Sequence, residues 1–114
     1  MRKLAMISQP MGNKSEKHIK EVRAQAMREL DEAGFETLDT YLDLGDDEDL
    51  ENAGVKNIGA YYLGESIKML AKADIVYFVD DWWNAKGCRL EERVAVDYGI
   101  TRVYATKPDD RIRV

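Results

Sequence analysis

The chain has 114 residues, 45% of them hydrophobic and 34% charged, enough for one modest core and too few for two, so a single domain over residues 1–114 is expected. Its 17 Lys plus Arg against 22 Asp plus Glu give a net charge of -5, which disfavours a surface that neutralises long nucleic acid. No window reaches the roughly 18–20 apolar residues of a membrane span, and one Cys with one His excludes an internal disulfide and a Cys/His zinc site. The first residues turn polar before a signal-peptide core can form, so a cytoplasmic protein without membrane partners is expected.

Residues 3–8 (KLAMIS) are a short apolar run closed by Gln9, Pro10 and Gly12, the punctuation of a buried strand. From Ser15 the spacing becomes helical: Ile19, Val22, Ala26, Leu30 and Ala33 share a face, Ser15 suits an N-cap and Gly34 a C′ position. Residues 35–41 alternate and read as a second strand. The six carboxylates within residues 43–51 repel one another unless solvated and predict a loop.

A second helix is predicted over residues 57–72, its apolar face broad enough to suggest burial on two sides. Residues 73–79 (ADIVYFV) are the strongest strand signal and belong at the centre of a sheet. After the segment 80–87, a third helix over 88–98 is stopped by Gly99, residues 100–105 form a fourth strand, and a polar tail begins at about 106. The alternation predicts an α/β, flavodoxin- or Rossmann-like three-layer sandwich with a parallel sheet of four or five strands in the order 2-1-3-4. Ligands of such sheets bind at the carboxyl ends of the strands, which gathers the loops at 9–14, 41–55 and 80–87.

The first loop, Ser8-Gln9-Pro10-Met11-Gly12, matches neither GxGxxG nor GxxxxGK[ST], although a helix N-terminus there can still meet an anion or a polar ring. Asp80 and Asp81 suit Mg²⁺ or sugar hydroxyls, or are simply solvated. Trp82 and Trp83 stack on a nucleobase, or pack into a core or a second subunit, and spacing leans to the latter. Glu91 shares a helix face with Ala95, and its ordinary explanation is a carboxylate favoured by the helix N-terminus, while Glu92 is expected to face solvent. Cys88 reads as a small filler, His18 as solvated, and Arg89 as a phosphate contact or the partner of a nearby acid. The acidic run lacks the ligand order of a calcium loop.

The segments Ile7-Ser8-Gln9-Pro10-Met11-Gly12 and Ala73-Asp74-Ile75-Val76-Tyr77-Phe78, with Trp82, Gly87, Glu91, Ala95 and Gly99, together resemble the nucleoside 2-deoxyribosyltransferase-like superfamily, in particular a small phage and bacterial branch. The resemblance spans most of the chain and rests chiefly on the Gly87–Glu91–Ala95 spacing after an Ala-Asp strand. It implies that Glu91 is the nucleophile of N-glycosidic bond transfer or hydrolysis on a nucleoside or nucleotide, with no cofactor and no metal. It further implies substrate contacts from Ser8, Gln9, Pro10, Met11, Glu65, Ser66, Asp80, Asp81, Trp82, Gly87 and Arg89, and a homo-oligomer, a dimer or larger. Three positions depart from that pattern: Met6 stands where an aromatic is usual, Ala85 where a polar residue is usual, and Ser66, beside Glu65, where a carboxylate is usual. They keep open a second expectation, a non-catalytic nucleotide-binding protein of the same fold. The aromatic residues also allow a plain assembly module, and Tyr61, Tyr62, Trp82 and Trp83 predict self-association in any of these cases.

Overall fold

The apolar run after the N-terminus forms β1 (Lys3–Ser8), and the capped amphipathic stretch after it forms α1 (Glu16–Glu32). The Ser15 hydroxyl accepts the His18 amide at 3.1 Å, and Gly34 takes the left-handed conformation (φ 92) that ends the helix without a Cβ penalty. Then come β2 (Phe35–Thr37), α2 (Asp47–Asn52), α3 (Ile58–Leu70), β3 (Ile75–Phe78), a 3-10 turn (Trp82–Asn84), α4 (Lys86–Asp97) and β4 (Thr101–Tyr104). This computed structural model describes residues 2–12, 14–38 and 47–105; the far end of the second predicted strand, Asp43, Asp46 and the tail from 106 lie outside the described residues.

The four strands form one sheet in the order β2-β1-β3-β4, every neighbouring pair parallel. Ala5 pairs with Ile75 and Ser8 with Phe78, so β1 and β3 end level at the carboxyl edge. Asp74 pins their other ends: its carboxylate accepts the Leu4 amide at 2.7 Å, and its own amide donates to the Leu4 carbonyl at 2.8 Å. No helix among the described residues is long and apolar enough to cross a membrane.

The strand period of two divides the core between two faces. Ala5, Ile7, Ile75, Tyr77 and Val79 meet Ala26 and Leu30 of α1, whereas Met6, Val76 and Phe78 meet Leu70 of α3 and Cys88 and Ala95 of α4. Among the described residues, one helix therefore packs on the first face and two on the second. No described helix packs over the outer strand on the first face, where Val103 of β4 is 38% exposed.

Three expectations are corrected. The acidic stretch is helical from Asp47 to Asn52, because Asp47, Glu48 and Asp49 suit a helix N-terminus and Leu50 is buried as an anchor. The helix α3 buries only Leu70 fully within the chain; Tyr61, Tyr62, Leu63, Ile67 and Met69 are half-buried. Glu92 is also half-buried, accepting the Tyr104 hydroxyl at 3.0 Å, rather than turned to solvent.

Candidate active site at the carboxyl edge

Ser8 closes β1 on the face that carries α4, and is 1% exposed. A hydroxyl so deeply placed needs a partner. It donates to Glu91 Oε1 at 2.8 Å, and Glu91 itself is only 6% exposed. The helix supplies this geometry by spacing: Cys88, Glu91 and Ala95, three and four residues apart, are the buried positions of α4. Because α4 begins at Lys86, two residues before the predicted start, Glu91 sits in the second turn, where the helix N-terminal field has largely decayed. The bland electrostatic explanation of this glutamate is thereby weakened. Burial pushes its carboxyl from the ordinary 4.5 up to about 7, and the Ser8 hydroxyl pulls the other way.

Cys88 completes this buried cluster. Burial raises its thiol to about 12 against the opposing pull of the Ser8 hydroxyl, so it is an inert filler rather than a nucleophile. Gly87 lies in the first turn of α4, and the space where a side chain would project is open.

The other residues divide into separate groups. Gln9, one step beyond Ser8, turns to the opposite face, where its side-chain amide donates to the Ile19 carbonyl at 2.7 Å and so ties the loop to α1. Together with Pro10, Asp80 and Asp81 it lines a cavity of about 40 Å³ beside Lys14, His18, Val22 and Val79. Asp81 adopts a left-handed backbone (φ 72), accepts the Asn84 side-chain amide, and lies 3.6 Å from Lys14 Nζ. Asp80 accepts the Asp81 amide at 3.0 Å. Met11 is 41% exposed at the loop tip.

Trp82 is drawn into the core, 4% exposed against Phe78, Tyr104 and Trp83, so its ring is no exposed stacking platform. Its buried indole nitrogen has no hydrogen-bond partner among the described residues. Arg89 donates to the Trp83 carbonyl at 2.9 Å and braces the 3-10 turn. Glu65 pairs with Lys68 at 3.1 Å on α3, and among the described residues no hydrogen bond joins Glu65 or Ser66 to Glu91.

A second, larger hollow of about 380 Å³ runs along α1 over the bare part of the sheet, lined by His18, Glu21, Val22, Gln25, Ala26, Glu29, Tyr77, Val79, Asp80 and Ala105. Glu91 belongs to the lining of neither hollow, so the two carboxyl-edge clusters, Ser8–Cys88–Glu91 and Gln9–Asp80–Asp81, are divided by the sheet. Sequence analysis missed the α1-side trough. The available signal was the stripe of His18, Glu21, Val22, Gln25 and Glu29, polar residues interleaved with an apolar one on a helix that should face a sheet.

No curated protein and no solved structure matches the chain. A family model does match, over residues 7–104, and contains every element from the end of β1 to the end of β4. The chain belongs to the family described as a domain of unknown function, DUF4406.

Proposed function

We propose that the protein acts on the N-glycosidic bond of a nucleoside or nucleotide, with Glu91 as the nucleophile. The observation that carries this is the Ser8–Glu91 pair, a nearly dry carboxylate held at 2.8 Å by a hydroxyl at the carboxyl edge of a parallel sheet. Burying a carboxylate without a cation is costly, and a carboxyl poised near 7 is the kind of group found at reacting centres more often than in inert cores.

The chemistry follows from the carboxylate. The ionised Glu91 oxygen forms a bond to C1′ of the sugar as the C1′–N bond breaks, and the base departs with the electron pair and takes up a proton. Water, or a second base, then attacks C1′ and releases the glutamate, giving hydrolysis or transfer respectively. The Ser8 hydroxyl steadies the charged form and fixes the oxygen that attacks. A homo-oligomer fits the exposed Leu90, Val96 and Tyr98 on and after α4, and is part of the same proposal.

The second reading, a nucleotide-binding protein without turnover, is favoured by one observation: Glu65, the carboxylate nearest the one usual in the resembling enzymes, pairs with Lys68. Incubation with a panel of nucleosides and 5′-nucleotides, with free base followed by chromatography, separates the two. The enzyme releases base from at least one member and Glu91→Gln abolishes release; ligand binding without release in the wild type establishes the binder and overturns the enzyme.

A further inference from the structure

The outer edge of the sheet is a surface that the Glu91 chemistry does not use. β4 ends the strand order, and just past it the Ala105 amide donates to the Phe78 carbonyl at 2.8 Å. Because strand backbones alternate, Thr101, Val103 and Ala105 turn their N–H and C=O groups towards β3, while Arg102 and Tyr104 turn theirs outward. Among the described residues those two outward backbones have no hydrogen-bond partner. The side chains divide as the register requires. Val103, paired with Tyr77, lies exposed on the α1 face, whereas Tyr104, paired with Phe78, lies on the α4 face. There the Tyr104 hydroxyl donates to Glu92, and Arg102 Nη1 stands 3.9 Å from the same carboxylate. Val96, one turn after Glu92 on α4, adds exposed apolar surface beside this edge.

We propose that β4 pairs antiparallel with β4 of a second copy of this chain, about a two-fold axis through Val103, so that the two sheets become one. This rests on the self-association included in the proposed function, gives it a surface, and requires nothing of Glu91. The register follows from backbone and charge together. With the axis at Val103, Arg102 stands opposite Tyr104 of the second copy, and two outward-facing residues so placed exchange both of their N–H···O=C bonds. The Arg102 guanidinium then lies beside the second copy's Tyr104 ring and the Glu92 carboxylate that holds it, an attractive arrangement. Val103 meets its own counterpart with Cβ atoms about 4.5–5.5 Å apart, on the face that no described helix covers there, and Thr101 meets Ala105. An axis at Arg102 would instead set two guanidinium groups opposite each other. Edge strands usually carry a charge that blocks pairing. Here Arg102 is the strand's only charge, and in this register it is matched rather than repelled.

The test combines sedimentation equilibrium of the full chain with amide hydrogen exchange. The Arg102 and Tyr104 amides should be protected in the dimer and exchange freely after dilution to monomer, while those of Val103 and Ala105 stay protected in both. Val103→Lys and Val103→Glu, at an exposed position, should each raise the dissociation constant at least about tenfold, because like charges then meet on the axis. An equimolar mixture of the two variants should associate again, since opposite charges now face each other. Leu90→Lys, about 200° round α4 from Glu92, should leave association unchanged. A dimer broken by Leu90→Lys but not by Val103→Lys would overturn this surface and leave self-association standing, whereas a monomeric wild type at micromolar concentration would remove both. A mixture that stays monomeric would also overturn the proposal. So would Arg102 and Tyr104 amides that remain protected in the monomer, which would assign the edge to another segment of the same chain.

Discussion

Replacing Glu91 by Gln removes a charge but keeps an oxygen able to accept the Ser8 hydroxyl, and its effect on stability depends on pH in a calculable way. In the fold the carboxyl titrates near 7, against an ordinary 4.5. An acid raised in this manner favours its neutral form in the folded chain, so the unfolded chain binds fewer protons between those two values. Its contribution to stability is fully present below 4.5 and is lost as pH rises through 7. At about 1.4 kcal/mol per pH unit, ionising Glu91 inside the fold costs about 3 kcal/mol once the pH is above 7. That is a large share of the roughly 5–15 kcal/mol that holds a typical domain together. Glu91→Gln carries no such cost. Urea unfolding followed by tryptophan fluorescence should therefore find the variant close to wild type near pH 4 and about 3 kcal/mol more stable near pH 8. A variant that follows the wild-type pH dependence in parallel, or that loses stability relative to wild type as pH rises, would refute the buried-carboxylate argument.

Ser8→Ala removes the hydroxyl that donates to Glu91, so the Glu91 midpoint, read by carboxyl ¹³C NMR, should move above 7, with about 1–3 kcal/mol lost near pH 8 and little near pH 4. Trp82→Ala opens a hole beside Phe78 and Tyr104 and should cost about 3–5 kcal/mol in urea unfolding at any pH, whereas a loss under about 1 kcal/mol would show that the ring is not part of the core. Light scattering at micromolar concentration should give a dimer or a larger assembly, and a monomeric mass would remove self-association from the account.

The sheet was legible because its signals are redundant. Residues 75–78, buried without exception, had to be covered on both faces, and the Ser15 and Gly34 caps fixed both ends of α1 to within a residue. The acidic stretch misled because charge density speaks of solvation on one side only. Leu50 faces inward while Asp47, Glu48 and Asp49 remain in water at a helix N-terminus, and a single apolar residue is a weak signal of that. The start of α4 slipped because Ala85 serves as its N-cap without a side-chain hydrogen bond, so the residues that usually announce a helix are missing.

At the candidate site the sequence placed Ser8 and Glu91 at one edge, but not their hydrogen bond, which depends on how β1 and α4 meet across a separation of 83 positions. Nor could it show that Ser8 and Gln9, adjacent in the chain, face opposite sides of the sheet, Ser8 towards Glu91 and Gln9 towards the cavity beside α1. Strand alternation implies such a division, yet whether it continues past the last ladder bond is decided by the Gln9–Ile19 contact. Trp82 illustrates the same difficulty: a tryptophan on a loop after a central strand can cap the core or cover a ligand, and only the stacked Phe78 and Tyr104 rings decide for the core.

The central claim, that the Glu91 carboxylate attacks the sugar, is tested most directly by trapping the glycosyl ester. A 2′-fluoro-2′-deoxynucleoside slows the steps that pass through an oxocarbenium-like state, leaving time for the covalent species to be weighed. Intact-mass analysis after incubation with such analogues of each base should show one added fluorosugar, mapped by peptide digestion to the segment holding Glu91, and none in Glu91→Gln. An adduct located on any other residue, or one that persists in Glu91→Gln, would contradict the claim.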